Sequence, residues 1–155
     1  MHEQKSTRCP HCRAKAVRRR PGAGRTTVYK TLPCLPLPSE LLIPTCSRCR
    51  ALFLPTNQKT GVLLHLLYVA ELRQRAQLAI SMLRDVRSLR KLERLLGVSQ
   101  GYLSKLRAGT SNPSPELTLL LGLLASSPTR MLRQADAFWA LPADSCLNLA
   151  TRSAP

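Results

Sequence analysis

The sequence predicts a mainly α protein that opens with a small, short-stranded β module built round a four-cysteine metal site. Three observations predict it. Two C-x-x-C pairs, "CPHC" and "CSRC", stand in the first third of the 155-residue chain. Composition then changes across "PTNQKTG", residues 55–61, from Arg, Pro, Thr and Cys to leucines at helical spacing. After that change, Ser, Pro and Gly recur where helices start and stop. The expected division is a metal-binding ribbon over 1–58, a five-helix domain over 62–141 and a flexible tail over 142–155.

The ribbon follows from its cysteines. Cys9 and Cys12 can form one tight knuckle and Cys46 and Cys49 a second, and together their thiolates complete the tetrahedral shell that zinc prefers. One structural Zn2+ per chain is expected, because four thiolates leave no open position for an activated water. So short a module, with few aliphatics in its first thirty residues, cannot bury enough surface alone. Metal binding would supply the folding free energy, on the order of 10 kcal/mol. Redox thiols are the alternative, but a thioredoxin-like motif needs a βαβ context that this stretch lacks. Between the knuckles "GRTTVYKTL" (24–32) fits a strand, and "LLIPTC" leads into the second pair. "VRRRPGAGR" (17–25) reads as a solvated turn whose Arg18, Arg19, Arg20 and Arg25 can also contact phosphate. His11 is expected to face solvent, Cys34 to be an apolar side chain rather than a ligand, and Cys146 has no motif.

The helices come in order. Leu63 to Leu83 reads as one long amphipathic helix, or two in succession, with Leu63, Leu66, Leu67, Ala70, Leu78 and Met82 as a core or dimer stripe. Residues 85–87 break it. Ser88 caps a helix carrying Leu89, Leu92, Leu95 and Leu96, which Gly97 ends. Val98 fills a turn, Ser99 is the next N-cap candidate, and a helix runs from Gln100 to about Ala108, where Gly109 stops it. Ser114, Pro115 and Glu116 open a fourth helix with Leu117, Leu120, Leu121 and Leu124 at the core centre. Ser127 and Pro128 open the last, whose Met131, Leu132, Phe138 and Trp139 suit either core or a twofold dimer surface.

Charge narrows the function. Lys+Arg number 24 against 8 Asp+Glu, a net +16, which implies a polyanionic partner. No apolar run of membrane-spanning length is free of charge, and "MHEQKSTRCPHC" has no signal-peptide core, so a cytoplasmic protein without a membrane partner is expected, nucleoid-associated if its polyanion is bacterial DNA. Aromatics at 4% are too few for the stacking platforms of RNA or single-strand binders. His2, His11 and His65 have neither paired acids nor a nucleophile context, so no enzyme is expected.

Residues 88–109 form two short helices round a Gly turn, the pattern of a helix-turn-helix. With Leu103 and Leu106 turned inward, the outward face holds Gly101, Ser104, Lys105 and Ala108, with Ser99 and Gln100 leading and Tyr102 and Arg107 flanking. Gln100 can pair with adenine and Lys105 can reach a guanine edge or phosphate, while Gly101 permits close approach in the major groove. Arg90 and Lys91 on the preceding helix are further phosphate candidates.

"LGVSQGYLSKLRAGTSNPSPELTLLLGLL" resembles the Cro and lambda-repressor type (Xre-like) helix-turn-helix over about residues 80–135. Joined to "CPHC" and "CSRC", the chain is similar to MqsA or YgiT-type proteins, in which a zinc ribbon precedes such a domain. The resemblance implies that Gln100 is the adenine reader and Gly101, Ser104 and Lys105 other base-facing positions. It implies a homodimeric repressor of duplex DNA, or alternatively an antitoxin whose ribbon neutralises a toxin. The chain departs from the Xre pattern at Leu89, where Gln is usual, at Glu93, where Ala is usual, and at Arg107, where Glu is usual. An exchanged Glu93–Arg107 ion pair is the expectation that follows.

Overall fold

The structure is a computed structural model that describes residues 8–54 and 57–140. Strand β1 (Val17–Pro21) pairs antiparallel with β4 (Leu42–Cys46), Val17 lying opposite Cys46 and Pro21 opposite Leu42. Strands β2 (Thr26–Tyr29) and β3 (Leu32–Pro36) form a second antiparallel pair. Two expectations are corrected here. Residues 17–21, expected within a turn, are a strand, because backbone groups make the ladder and exposed Arg18, Arg19 and Arg20 need only face water. The single strand expected over 24–32 is broken at Lys30, whose φ of 49° reverses the chain into a hairpin. Leu32, Leu35, Leu37 and Ile43 are buried inside the ribbon. At Gly22 a Cβ would lie 2.4 Å from the Pro38 carbonyl oxygen, so only glycine fits that crossing.

Helix α1 runs from Gln58 to Arg84, one helix of 27 residues. Contacts divide the chain into two compact units between Glu71 and Leu72, inside this helix. In the first unit Leu64 and Tyr68 are buried, Tyr68 meets Tyr29 edge to face at 5.7 Å, and the Thr31 and Tyr68 hydroxyls hydrogen-bond at 2.9 Å. In the second, Leu72, Ala76, Ala79, Ile80 and Leu83 are buried. The stripe expected as core or dimer surface is thus not the buried line of the helix. Leu66, Leu78 and Met82 are exposed, as is Ala70, and the buried line runs one to two residues away. Apolar residues surround this helix on every side, so spacing alone could not choose the inward face.

The second unit continues with α2 (Leu89–Leu96), α3 (Tyr102–Ala108), α4 (Pro115–Ser126) and α5 (Pro128–Ala140). Its core gathers Ile80, Leu83, Leu92, Leu103, Leu106, Leu121, Leu124 and Leu132. Gly97 and Gly109 close α2 and α3 in the left-handed conformation, and the Ser114 hydroxyl accepts from the Leu117 N–H at the start of α4, as the sequence predicts. Ser88 is the N-cap of α2, but its side chain makes no capping bond. Leu120 is not core: Thr118, Leu121, Leu124 and Ala125 supply the inward face of α4, and Leu120 lines an apolar groove of 610 Å³ with Leu95, Leu96, Met131 and Phe138. Phe138 and Trp139 are exposed and stack edge to face. Among the described residues no helix is long and apolar enough to cross a membrane. The expected tail, 142–155 with Cys146, and His2 lie outside them.

Candidate metal centre and candidate nucleic-acid interface

The two C-x-x-C pairs close on one point. The sulfurs of Cys9, Cys12, Cys46 and Cys49 all lie within 4.8 Å of one another, with Cys9 to Cys49 and Cys12 to Cys46 each at 3.6 Å. They could hold a metal ion. Both knuckles have the same build. Cys9 donates from its N–H to the Ala14 carbonyl and Arg13 to the Cys9 carbonyl; Cys46 donates to Ala51 and Arg50 to Cys46. Arg13 and Arg50 stand at φ 60° and 59°, the left-handed region that favours glycine. Placing a non-glycine residue there costs about 1–2 kcal/mol each. The repeated hexapeptides "CPHCRA" and "CSRCRA" carry this symmetry in the sequence, a signal that the C-x-x-C spacing alone leaves unread.

The thiols are electrostatically unlike. The Cys49 backbone N–H holds Cys46 down to about 6, with the Arg48 N–H and the Cys12 and Cys49 thiols adding to it. At Cys49 the Ala51 N–H pulls the same way, but desolvation and the three neighbouring thiols outweigh it and push the group up to about 12. One thiolate therefore opposes ionisation of the next. A bound cation would let all four ionise together. Cys34 lies on β3, exposed and outside this group, so it is neither ligand nor buried apolar side chain.

The second candidate centres on α3. Leu103 and Leu106 are fully buried, while Ser104, Lys105, Arg107 and Ala108 are exposed on the other side. The helix begins at Tyr102, not Gln100. Its N-cap is Gly101 at φ 82°, not Ser99, so Ser99 and Gln100 are exposed residues of the preceding turn. Gly101 thus answers a conformational demand, since a Cβ there would meet open space. Tyr102 is half-buried and its hydroxyl donates to the Asn112 carbonyl, which ties it to the next loop.

What holds so short a helix was not expected. Glu93 is 3% exposed, and its two carboxylate oxygens accept the N–H groups of Gly101 and Leu103, each at 3.0 Å. A carboxylate on α2 thereby caps α3, where negative charge opposes the positive end of the helix dipole. It forms no pair with Arg107, whose side chain is exposed; the expected ion pair is replaced by this clamp. At the other end Gln77 of α1 donates its amide to the carbonyls of Leu106 and Arg107, at 3.3 and 3.1 Å. Both ends of α3 are fixed by side chains from other helices.

The remaining predicted phosphate candidates separate. Arg18, Arg19, Arg20, Arg90 and Lys91 are exposed. Arg25 is half-buried and donates to the Thr45 hydroxyl at 2.6 Å, so it braces the ribbon. Comparison with protein families, with curated proteins and with solved structures gives no match.

Proposed function

We propose that α2, the turn 97–101 and α3 are a helix-turn-helix that binds duplex DNA sequence-specifically, and that the protein is a repressor acting as a homodimer on a palindrome. The observation that carries this reading is the clamped α3. A helix whose ends are held by Glu93 and Gln77 presents Ser104, Lys105 and Arg107 on a fixed outward face, with Gln100 beside it in the turn. Such polar and cationic side chains suit base edges and phosphates in the major groove. The net charge of +16 supplies the non-specific attraction. Exposed Leu119 and Leu123 on α4, with exposed Phe138 and Trp139 lining the apolar groove, support a twofold partner.

Within the same reading, the ribbon's metal is zinc and its role structural. Tetrahedral zinc with bonds of about 2.3 Å sets its sulfurs about 3.8 Å apart, close to the 3.6 Å pairs seen here. Cys9, Cys12, Cys46 and Cys49 would hold it, and it would supply folding energy and thiolate charge neutralisation rather than catalysis. Among residues 8–54 Glu40 is the one acid against ten Lys and Arg, which favours a polyanion over a basic toxin as the ribbon's partner. The test is affinity for a random duplex as a function of salt. Neutralising six or more phosphates lowers affinity by roughly a thousandfold between 50 and 200 mM; salt-insensitive binding would remove the electrostatic support.

A further inference from the structure

Arg13 and Arg50 sit directly after the last cysteine of each knuckle, and the four cysteines of the two knuckles form one cluster. Both are exposed, and no hydrogen bond or ion pair to their guanidinium groups is found among the described residues. Both occupy backbone conformations that glycine would adopt without strain. Two matched strained positions therefore carry a long cation that repays nothing inside the ribbon. Strain of this kind, tolerated where the surrounding structure enforces it, points to a contact made outside the molecule. Arg48, exposed inside the second knuckle, and Lys15, exposed just after the first, add to the same charge, with no acid between residues 8 and 39 or between 41 and 54.

We infer that the knuckle arginines Arg13 and Arg50 form an anion-binding pair at the metal end of the ribbon, and that their ligands are backbone phosphates of duplex DNA. Each guanidinium presents a planar fork of donors matched to phosphate oxygens. The knuckle hydrogen bonds, from the Arg13 N–H to Cys9 and from the Arg50 N–H to Cys46, fix where each side chain starts. Presentation of the pair thus depends on the metal that holds the knuckles shut. The choice of duplex DNA rests on the helix-turn-helix reading above; the strained pair itself does not.

The experiment compares the full-length, zinc-loaded protein with its Arg13→Gly/Arg50→Gly double variant. Zinc content, melting temperature and affinity for a random-sequence duplex, for the preferred duplex and for single-stranded RNA are measured across a salt series. The double variant is expected to keep its zinc and to melt at the same or a higher temperature, since glycine relieves the backbone. It is expected to bind both duplexes several-fold more weakly at low salt, with the slope of log affinity against log salt shallower by about 1.8, two phosphates' worth. Arg13→Lys/Arg50→Lys should keep most of that slope. An unchanged slope with base preference intact overturns the arginine pair alone. Loss of zinc or a lower melting temperature shows that the arginines are structural, and a loss confined to RNA assigns another polymer. If the wild-type protein fails to bind any duplex, the helix-turn-helix reading falls and the ligand assignment falls with it.

Discussion

The two units solve the same problem by different means. Residues 72–140 bury a continuous set of leucines together with Ile80, close α2 and α3 with glycines and use one buried carboxylate to clamp α3. Residues 8–54 have two two-stranded sheets and a handful of buried aliphatics, and four sulfurs converge within 4.8 Å of one another. The lesson is about where information sits. A unit whose four cysteines could hold a metal gathers that site in two pairs of side chains at short spacing, whereas a packed helical unit spreads its core over residues far apart in the chain.

Chelation, or Cys46→Ser, should abolish metal content and the near-ultraviolet and NMR signature of the ribbon while leaving helical circular dichroism largely in place. Simultaneous loss of both would show that the units are not stabilised separately. Next, Leu103→Ala should destabilise the helical unit by roughly 2–5 kcal/mol through a cavity under α3, read from denaturant unfolding, with metal content unaffected.

Glu93 tests the clamp. Glu93→Ala removes the acceptor for two buried N–H groups and should cost about 2–4 kcal/mol, while Glu93→Gln, which keeps one strong acceptor, should cost less. Equal costs for the two would mean that charge at the start of α3 is irrelevant. A smaller effect belongs to Gly101, whose φ of 82° makes alanine strained. Gly101→Ala should cost about 1 kcal/mol by the same unfolding measurement.

The smallest effect is the Arg87–Asp136 pair at the surface. The Arg87 guanidinium, through its hydrogen bond, holds the Asp136 carboxyl below its ordinary value. A depressed carboxylate contributes stability that is complete above its unfolded value, near 4, and lost as pH falls through the lower folded value. Wild type and Asp136→Asn should therefore differ slightly in melting temperature at neutral pH and converge in acid. A gap that widens in acid would contradict the assignment.

Legibility follows the same division. The C-x-x-C pairs, the Ser114 cap, Gly97 and Gly109 were readable because each acts within a few residues of itself. The inward face of α1 was not, since leucines on every side leave the choice to tertiary packing. Glu93 reads in sequence as a departure needing a partner, and a cation such as Arg107 is the obvious one. Its real partners are the N–H groups of Gly101 and Leu103, which every residue but proline carries, and only the course of the turn brings them to it. Gln77 meets α3 across about thirty residues and leaves no local trace. Gln100 fell outside α3 because Gly101, not Ser99, takes the cap.

The most direct test of the function is a binding profile over a randomised duplex library for the wild-type protein, Gln100→Ala and Lys105→Ala, with melting temperatures alongside. All three should melt alike, because both side chains are exposed. Gln100→Ala should lose about 1–3 kcal/mol of discrimination at one base pair per half-site. Lys105→Ala should either relax one guanine position or weaken every sequence equally, according to whether it meets a base or a phosphate. A wild-type profile without a palindromic preference, or one that both variants leave untouched, would mean that α3 packs the helical unit and does not read DNA.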